Sequence, residues 1–181
     1  PFSSLNGGID TILSNNVITT QLTSNLKWKL AYRYYGYNNT TANQLFNDWV
    51  GTDALTLTNP QLSVPSSYIK QNGLSELIWT AARGLTLGAR YGYERYSWTN
   101  NDADEISENL AKAYGVYTVN KWLSVSGSWQ YSERRYGTYT NTIQKSVVGG
   151  WNEHFRSPQL ANRDQNVGKI QVDVAVAPAV T

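Results

Sequence analysis

The chain has no cysteine and a single histidine, His154. Without thiols there are no disulfides, no thiolate metal sites and no thioether attachment of haem, so any haem associated with this protein must sit on a partner. One imidazole cannot build a catalytic triad or a multi-histidine metal site. His154, set among Trp151, Phe155 and Pro158, reads as a loop residue. Charge is also scarce, at 15% of 181 residues with a net of +2. The two signs are mixed and form no basic stripe, which argues against a nucleic-acid partner despite a sequence pI near 8.8. No run approaches the roughly 18 consecutive apolar residues that a membrane helix needs. No signal peptide is visible, and the opening at Pro1 without an initiator Met is read as mature or truncated sequence.

Polarity comes instead from Asn, Thr, Ser, Gln and Tyr, which give a mean hydropathy of −0.47 in a composition suited to strands and turns. A β-barrel strand crosses a bilayer with only about 9–11 residues, every second one apolar, so its hydropathy stays low.

Period-two patterning is clearest from Asn25 to Asn38, where Leu26, Trp28, Leu30, Tyr32 and Tyr34 alternate with Lys27, Lys29, Ala31, Arg33 and Tyr35. Helical apolar positions would recur at three and four instead. The same design returns from Gly84, with Leu85, Leu87, Ala89, Tyr91 and Tyr93 against Thr86, Gly88, Arg90, Gly92 and Glu94. It returns again from Leu123, with Val125, Gly127, Trp129 and Tyr131 against Ser124, Ser126, Ser128, Gln130 and Ser132. Each copy follows a weaker strand and a short turn, at Thr23-Ser24-Asn25, Ala82-Arg83-Gly84 and Lys121-Trp122. Longer polar segments follow at 39–67, 99–106 and 137–164.

The repeated unit is thus a hairpin, at roughly 9–38, 68–98 and 107–136, with a last strand at 165–177 in which Ile170, Val172, Val174 and Val176 share a side and Pro178 ends the run. Short turns at one end and long loops at the other predict an all-β, antiparallel up-and-down transmembrane β-barrel. Residues 1–181 are read as one barrel segment of about seven strands. The odd count predicts a larger barrel that continues beyond this chain.

Tyrosines fall toward the loop ends: Tyr32, Tyr34 and Tyr37, then Tyr91, Tyr93 and Tyr96, then Tyr131 and Tyr136. Such rings suit the lipid headgroup boundary. The expected aromatic girdle is Tyr32, Tyr34, Tyr91, Tyr93 and Tyr131, with Trp79 and Trp122 near the short turns as the opposite belt. Lys27, Lys29, Arg33, Arg90, Glu94 and Gln130 are then expected to face the lumen, where they could line water or lie against a protein plug.

No motif for chemistry emerges. Asp102, Asp104, Glu105 and Glu108 lack the glycine and closing glutamate of an EF-hand loop and read as a solvated loop whose charges repel. Gly7-Gly8 and Gly149-Gly150 fit no phosphate cradle, and the sequons at Asn38 and Asn39 read as chance matches. The expectation is a non-enzyme without a catalytic, cofactor or metal site of its own.

The runs Leu5-Asn6-Gly7-Gly8-Ile9-Asp10-Thr11, Asn25-Leu26-Lys27 through Ala31-Tyr32-Arg33-Tyr34-Tyr35, and Arg163-Asp164-Gln165-Asn166-Val167-Gly168-Lys169-Ile170 resemble the MtrB/PioB-type outer-membrane porins that accompany decahaem cytochromes. Together they span nearly the whole chain. The family's barrels are much larger than seven strands, and Thr181 does not supply the terminal aromatic typical of outer-membrane barrels.

The resemblance implies a structural sheath in the bacterial outer membrane, in contact with its lipid. Inside it would lie a periplasmic multihaem c-type cytochrome that carries electrons to or from extracellular acceptors, with an extracellular cytochrome as a further partner. Two other readings stay open. One is an ordinary diffusion porin or surface adhesin. The other is a soluble β-sandwich binding module in which Trp98, Trp129 and Trp151 stack on sugars.

Overall fold

The computed structural model describes residues 6–46, 49–52, 55–57, 61–63, 65–101, 103–138 and 160–175. Its strands are β1 (Ile9–Thr23), β2 (Leu26–Asn39), β3 (Leu45–Phe46), β4 (Trp49–Thr52), β5 (Leu55–Leu57), β6 (Gln61–Leu62), β7 (Tyr68–Ala82), β8 (Leu85–Trp98), β9 (Glu105–Asn120), β10 (Leu123–Tyr136) and β11 (Arg163–Val174). The seven long ones form a single sheet in the order β1-β2-β7-β8-β9-β10-β11, and every neighbouring pair is antiparallel. The order is that of the chain, as an up-and-down barrel wall requires. β1 and β11 stand at the two edges and are not paired with each other.

The long strands run from 12 residues in β11 to 16 in β9. They therefore exceed the roughly 9–11 residues that cross hydrocarbon, and their ends project beyond it.

Three hairpins share one turn design. Two residues separate β1 from β2, β7 from β8, and β9 from β10. In each the register slips by one next to the turn, between Gln21 and Thr23, between Thr80 and Ala82, and beside Leu123. Such bulges sharpen the local twist that lets a sheet bend. The second turn residue also offers its carbonyl to a neighbouring strand: Thr80 N donates to Asn25 O, Thr118 N to Gly84 O, and Ala175 N to Trp122 O, each at 2.8 Å. The repeat seen in the sequence is therefore also a repeat in hydrogen bonding.

Two segments differ from the sequence expectation. The stretch 39–67 is not a plain polar loop: β3 pairs with β6 and β4 with β5, as two small antiparallel ladders inside the excursion. Ladders of two to four residues are too short to display a period of two. The acidic stretch is not a repelling loop either, because β9 starts at Glu105 and takes Glu105 and Glu108 into the sheet. The carboxylate of Asp104 instead accepts the backbone N–H groups of Glu105 and Thr138, both at 2.7 Å. Asp102, Gly149-Gly150, His154 with its loop neighbours, and the end of the last expected strand at Val176 to Pro178 lie outside the described residues.

A soluble sandwich would hide its apolar faces in a core. Here the only buried hydrophobic residues among those described are Ala103 and Leu160, while Leu77, Trp79, Tyr91, Trp129, Ile170 and Val172 are exposed. A single layer without a core is stable where lipid covers its apolar side, so the chain is an all-β section of transmembrane barrel wall.

Gly84 is the one turn residue whose backbone demands glycine, with φ at +80° and a Cβ that would lie 2.6 Å from the Thr118 carbonyl oxygen. Gly84→Val is expected to cost about 2 kcal/mol through left-handed strain and loss of that hydrogen bond. A lower urea midpoint of the full-length barrel in lipid, followed by the gel shift of the folded form, is the predicted result.

Candidate functional site

Because cross-strand partners in an antiparallel ladder project to the same side, the register assigns every long-strand residue to one of two faces. One face joins Trp28, Leu77, Ala89, Ala113 and Trp129 in a single row, and Leu26, Trp79, Leu87, Gly115, Gly127 and Ile170 in the row toward the turns. Toward the loops the same face carries Tyr91 and Tyr131, then Tyr32 and Tyr93 in one row with Glu133 and Asp164, and farther out Arg95 and Arg135. Its charged groups are thus confined to the loop end.

The tyrosine hydroxyls point toward that end. Tyr32 OH reaches Gln71 Oε1 at 3.0 Å and Tyr91 OH reaches Asn109 Oδ1 at 2.6 Å. Each partner lies one step toward the loops from the residue paired with that tyrosine, since Tyr32 faces Gly73 and Tyr91 faces Ala111. Rings over an apolar band with hydroxyls aimed at a polar zone are what a headgroup boundary selects.

The opposite face is built in layers. Toward the turns, Lys27, Ile78, Gly88, Tyr114, Ser128 and Lys169 share a row. Next come Lys29, Glu76, Arg90, Lys112 and Gln130. A row of small and apolar residues follows, with Ala31, Leu74, Gly92, Leu110 and Ser132. Beyond it lies a second charged row, Arg33, Asn72, Glu94, Glu108, Arg134 and Arg163. Gly92 leaves a shallow depression of about 380 Å³ between the two charged rows, bordered by Asn72, Arg90, Glu94, Glu108, Lys112 and Gln130.

Glu76 anchors the lower charged row and is only 5% exposed. Its Oε1 accepts from Arg90 Nη2 at 2.8 Å, Arg90 Nε at 3.1 Å and Tyr114 OH at 3.0 Å. Tyr114 spans from β9 to β7 because Gly88 on the intervening β8 has no side chain: a Cβ there would fall 2.1 Å from the tyrosine ring. In the upper row Glu108 binds Arg134 at 2.7 Å and Arg163 at 2.9 Å, joining β9, β10 and β11. Glu94 takes Lys70 at 3.2 Å and also accepts from the Asn72 amide.

Above these rows five rings adjoin on three strands: Tyr35 and Tyr37 on β2, Tyr68 on β7, and Tyr96 and Trp98 on β8. Tyr37 and Tyr68 stack at 4.9 Å between centroids, and Tyr68 and Tyr96 at 5.1 Å.

All six residues expected to face the lumen, Lys27, Lys29, Arg33, Arg90, Glu94 and Gln130, lie on the layered face. Tyr32, Tyr34, Tyr91, Tyr93, Tyr131 and Trp79 lie on the apolar face, while Trp122 occupies the β9–β10 turn. Tyr37, Tyr96 and Tyr136 are corrections to the tyrosine reading: their register places them on the layered face, not with the girdle residues.

Sequence reasoning missed Lys70, Glu76, Lys112, Tyr114 and the Glu108 pair. β7 and β9 alternate weakly, and only the pairing shows which of their sides meets β8. Trp98 and Trp129 are on opposite faces and so make no common sugar platform, and Trp151 is outside the described residues. No group of three metal-ligating side chains is present among the described residues.

Two changes test this arrangement. Leu77→Arg, in the middle of the apolar band, is expected to destabilise the barrel by about 2–4 kcal/mol, whereas Gln71→Arg near the loop end changes it by about 1 kcal/mol or less. Tyr114→Phe removes one of three donors to a buried carboxylate and is expected to cost about 1 kcal/mol. Urea unfolding in liposomes reads both.

The family model for outer membrane beta-barrel porins of the MtrB/PioB type matches residues 1–181. No curated protein matches the chain.

Proposed function

Because the chain belongs to the MtrB/PioB family of outer-membrane β-barrel porins, we propose that it forms part of a sheath whose lumen holds a periplasmic multihaem c-type cytochrome, for electron transfer across the outer membrane. The layered face lines the lumen and the apolar face meets lipid. The haem belongs to the partner, since this chain has no cysteine through which to attach it.

The observation that carries this reading is the division of one sheet into two chemically distinct faces in register. The apolar side satisfies the lipid requirement: its charges are confined to the loop end, and the backbone polar groups inside the ladder are paired across strands. The other side offers polar and charged groups along the full strand length, which suits either water or the wetted surface of an enclosed protein. Its contribution to electron transfer is structural. It insulates the haem chain from lipid and fixes its position, while the haems carry the electrons.

An ordinary diffusion porin would share the wall but leave the lumen open. The full-length protein, extracted from outer membranes in mild detergent and run on a haem-stained non-denaturing gel, is expected to co-migrate with a multihaem cytochrome identifiable by mass spectrometry. Planar-bilayer recording of the same preparation is expected to show little ion conduction. A haem-free band with steady conductance would overturn the sheath in favour of the diffusion porin.

A further inference from the structure

Charge is divided unequally between the two faces. Along the seven long strands the layered face carries nine Lys and Arg against four Asp and Glu, and the apolar face carries two against four. Most cations of the layered face on β7 to β11 are neutralised, because Lys70, Arg90, Arg134 and Arg163 each hold a carboxylate. β2 is different. Lys27, Lys29 and Arg33 have no carboxylate within ion-pair distance among the described residues.

The neighbouring strands explain why. On one side β1 sets only Gln21, Thr19 and Asn15 across from the three cations. On the other, Lys29 faces Glu76, whose Oε1 is held by Arg90 and Tyr114, so that Lys29 acts on this carboxylate only from beyond ion-pair distance. Arg33 faces Asn72, whose amide is committed to Glu94, and Glu94 also holds Lys70. Lys27 faces Ile78. Alternate residues on a strand are about 6.8 Å apart, so the three cations form a strip of about 20 Å up the wall.

Taking the sheath reading above as its basis, we infer that the layered face of β2 is a docking strip for an acidic surface of the protein enclosed in the lumen. Like charges on a low-dielectric wall raise a positive potential in the lumen, and complementary charge on a partner lowers it while fixing the partner's orientation. The strip's height and its three aligned cations on one strand, against the single Lys112 on β9 and Lys169 on β11, favour one extended acidic patch over small ions, which would need no such alignment.

The test compares full-length wild-type barrel with the K27Q/K29Q/R33Q variant, both isolated in mild detergent and washed through a NaCl series while retained haem is measured. Equal amounts of the heat-modifiable folded form verify that the wall itself is unaffected. The variant is expected to release its haem protein at lower salt, with affinity about tenfold weaker or more near physiological ionic strength and a shallower salt dependence. K27E/K29E/R33E is expected to release it more readily still.

If wild type retains haem protein and the neutral variant holds it equally at every salt concentration, the docking strip is refuted and the sheath stands. If wild type carries no haem protein, both fall together. If retention is unchanged while the emptied barrel loses anion selectivity in bilayers, the strip serves small anions and the inference is likewise overturned.

Discussion

Cross-strand backbone hydrogen bonding is the constraint on which everything else in this wall depends. In hydrocarbon no water is available to an unpaired N–H or C=O, so a spanning segment must satisfy its main chain within the protein. A sheet does so only strand to strand, and the pairing that meets the lipid requirement also decides which side chains share a face. Structure and chemistry are therefore set by one quantity, the register. A slip of one residue between β2 and β7 would send Lys27, Lys29 and Arg33 to the same side as Leu77 and Trp79, exchanging lipid-compatible and lumen-compatible surfaces.

The register is held by more than the ladder. At each short turn the carbonyl of the second turn residue bonds to a neighbouring strand, so adjacent hairpins are pinned at their bases. Higher up, side chains reach across strands: Tyr114 passes over Gly88 to Glu76, and Glu108 draws in arginines from β10 and β11. These contacts occur only in the observed alignment. Glu76 illustrates why they matter, since a nearly buried carboxylate left without its three donors would carry a desolvation penalty with nothing to offset it.

Satisfying the carboxylates in this way leaves charge over. The acidic groups of the layered face are fewer than its cations and lie within β7 to β11. Three of the five cations without a carboxylate partner among the described residues therefore stand on β2, next to a strand with no charged residue on that side, and the other two, Lys112 and Lys169, stand singly on β9 and β11. A wall that neutralised every cation would be as wettable but would give an enclosed protein no preferred orientation. The distribution of ion pairs, rather than the modest net charge of +2, is what gives this surface direction.

Much of the wall was legible from residue order. Alternation in Leu26 to Tyr35, Leu85 to Glu94 and Leu123 to Ser132 specifies strands and divides each into two sides, because side chains on a pleated strand point alternately up and down. The repeated short turns specify an antiparallel meander, and the absence of cysteine excludes thioether attachment of haem to this chain.

Tertiary structure alone decided how the sides of different strands combine. Nothing local to β2 or β7 states that Lys29 meets Glu76, because residues 40–67 lie between the strands and their length sets no phase. Nor does parity within one strand reveal that Tyr37 and Tyr96 stack around Tyr68 on the layered face. Period two is a property of a single chain segment, whereas a face, a layer of charge and an unpaired strip are properties of the register between segments. The register is chosen by the total of cross-strand pairings over the whole sheet.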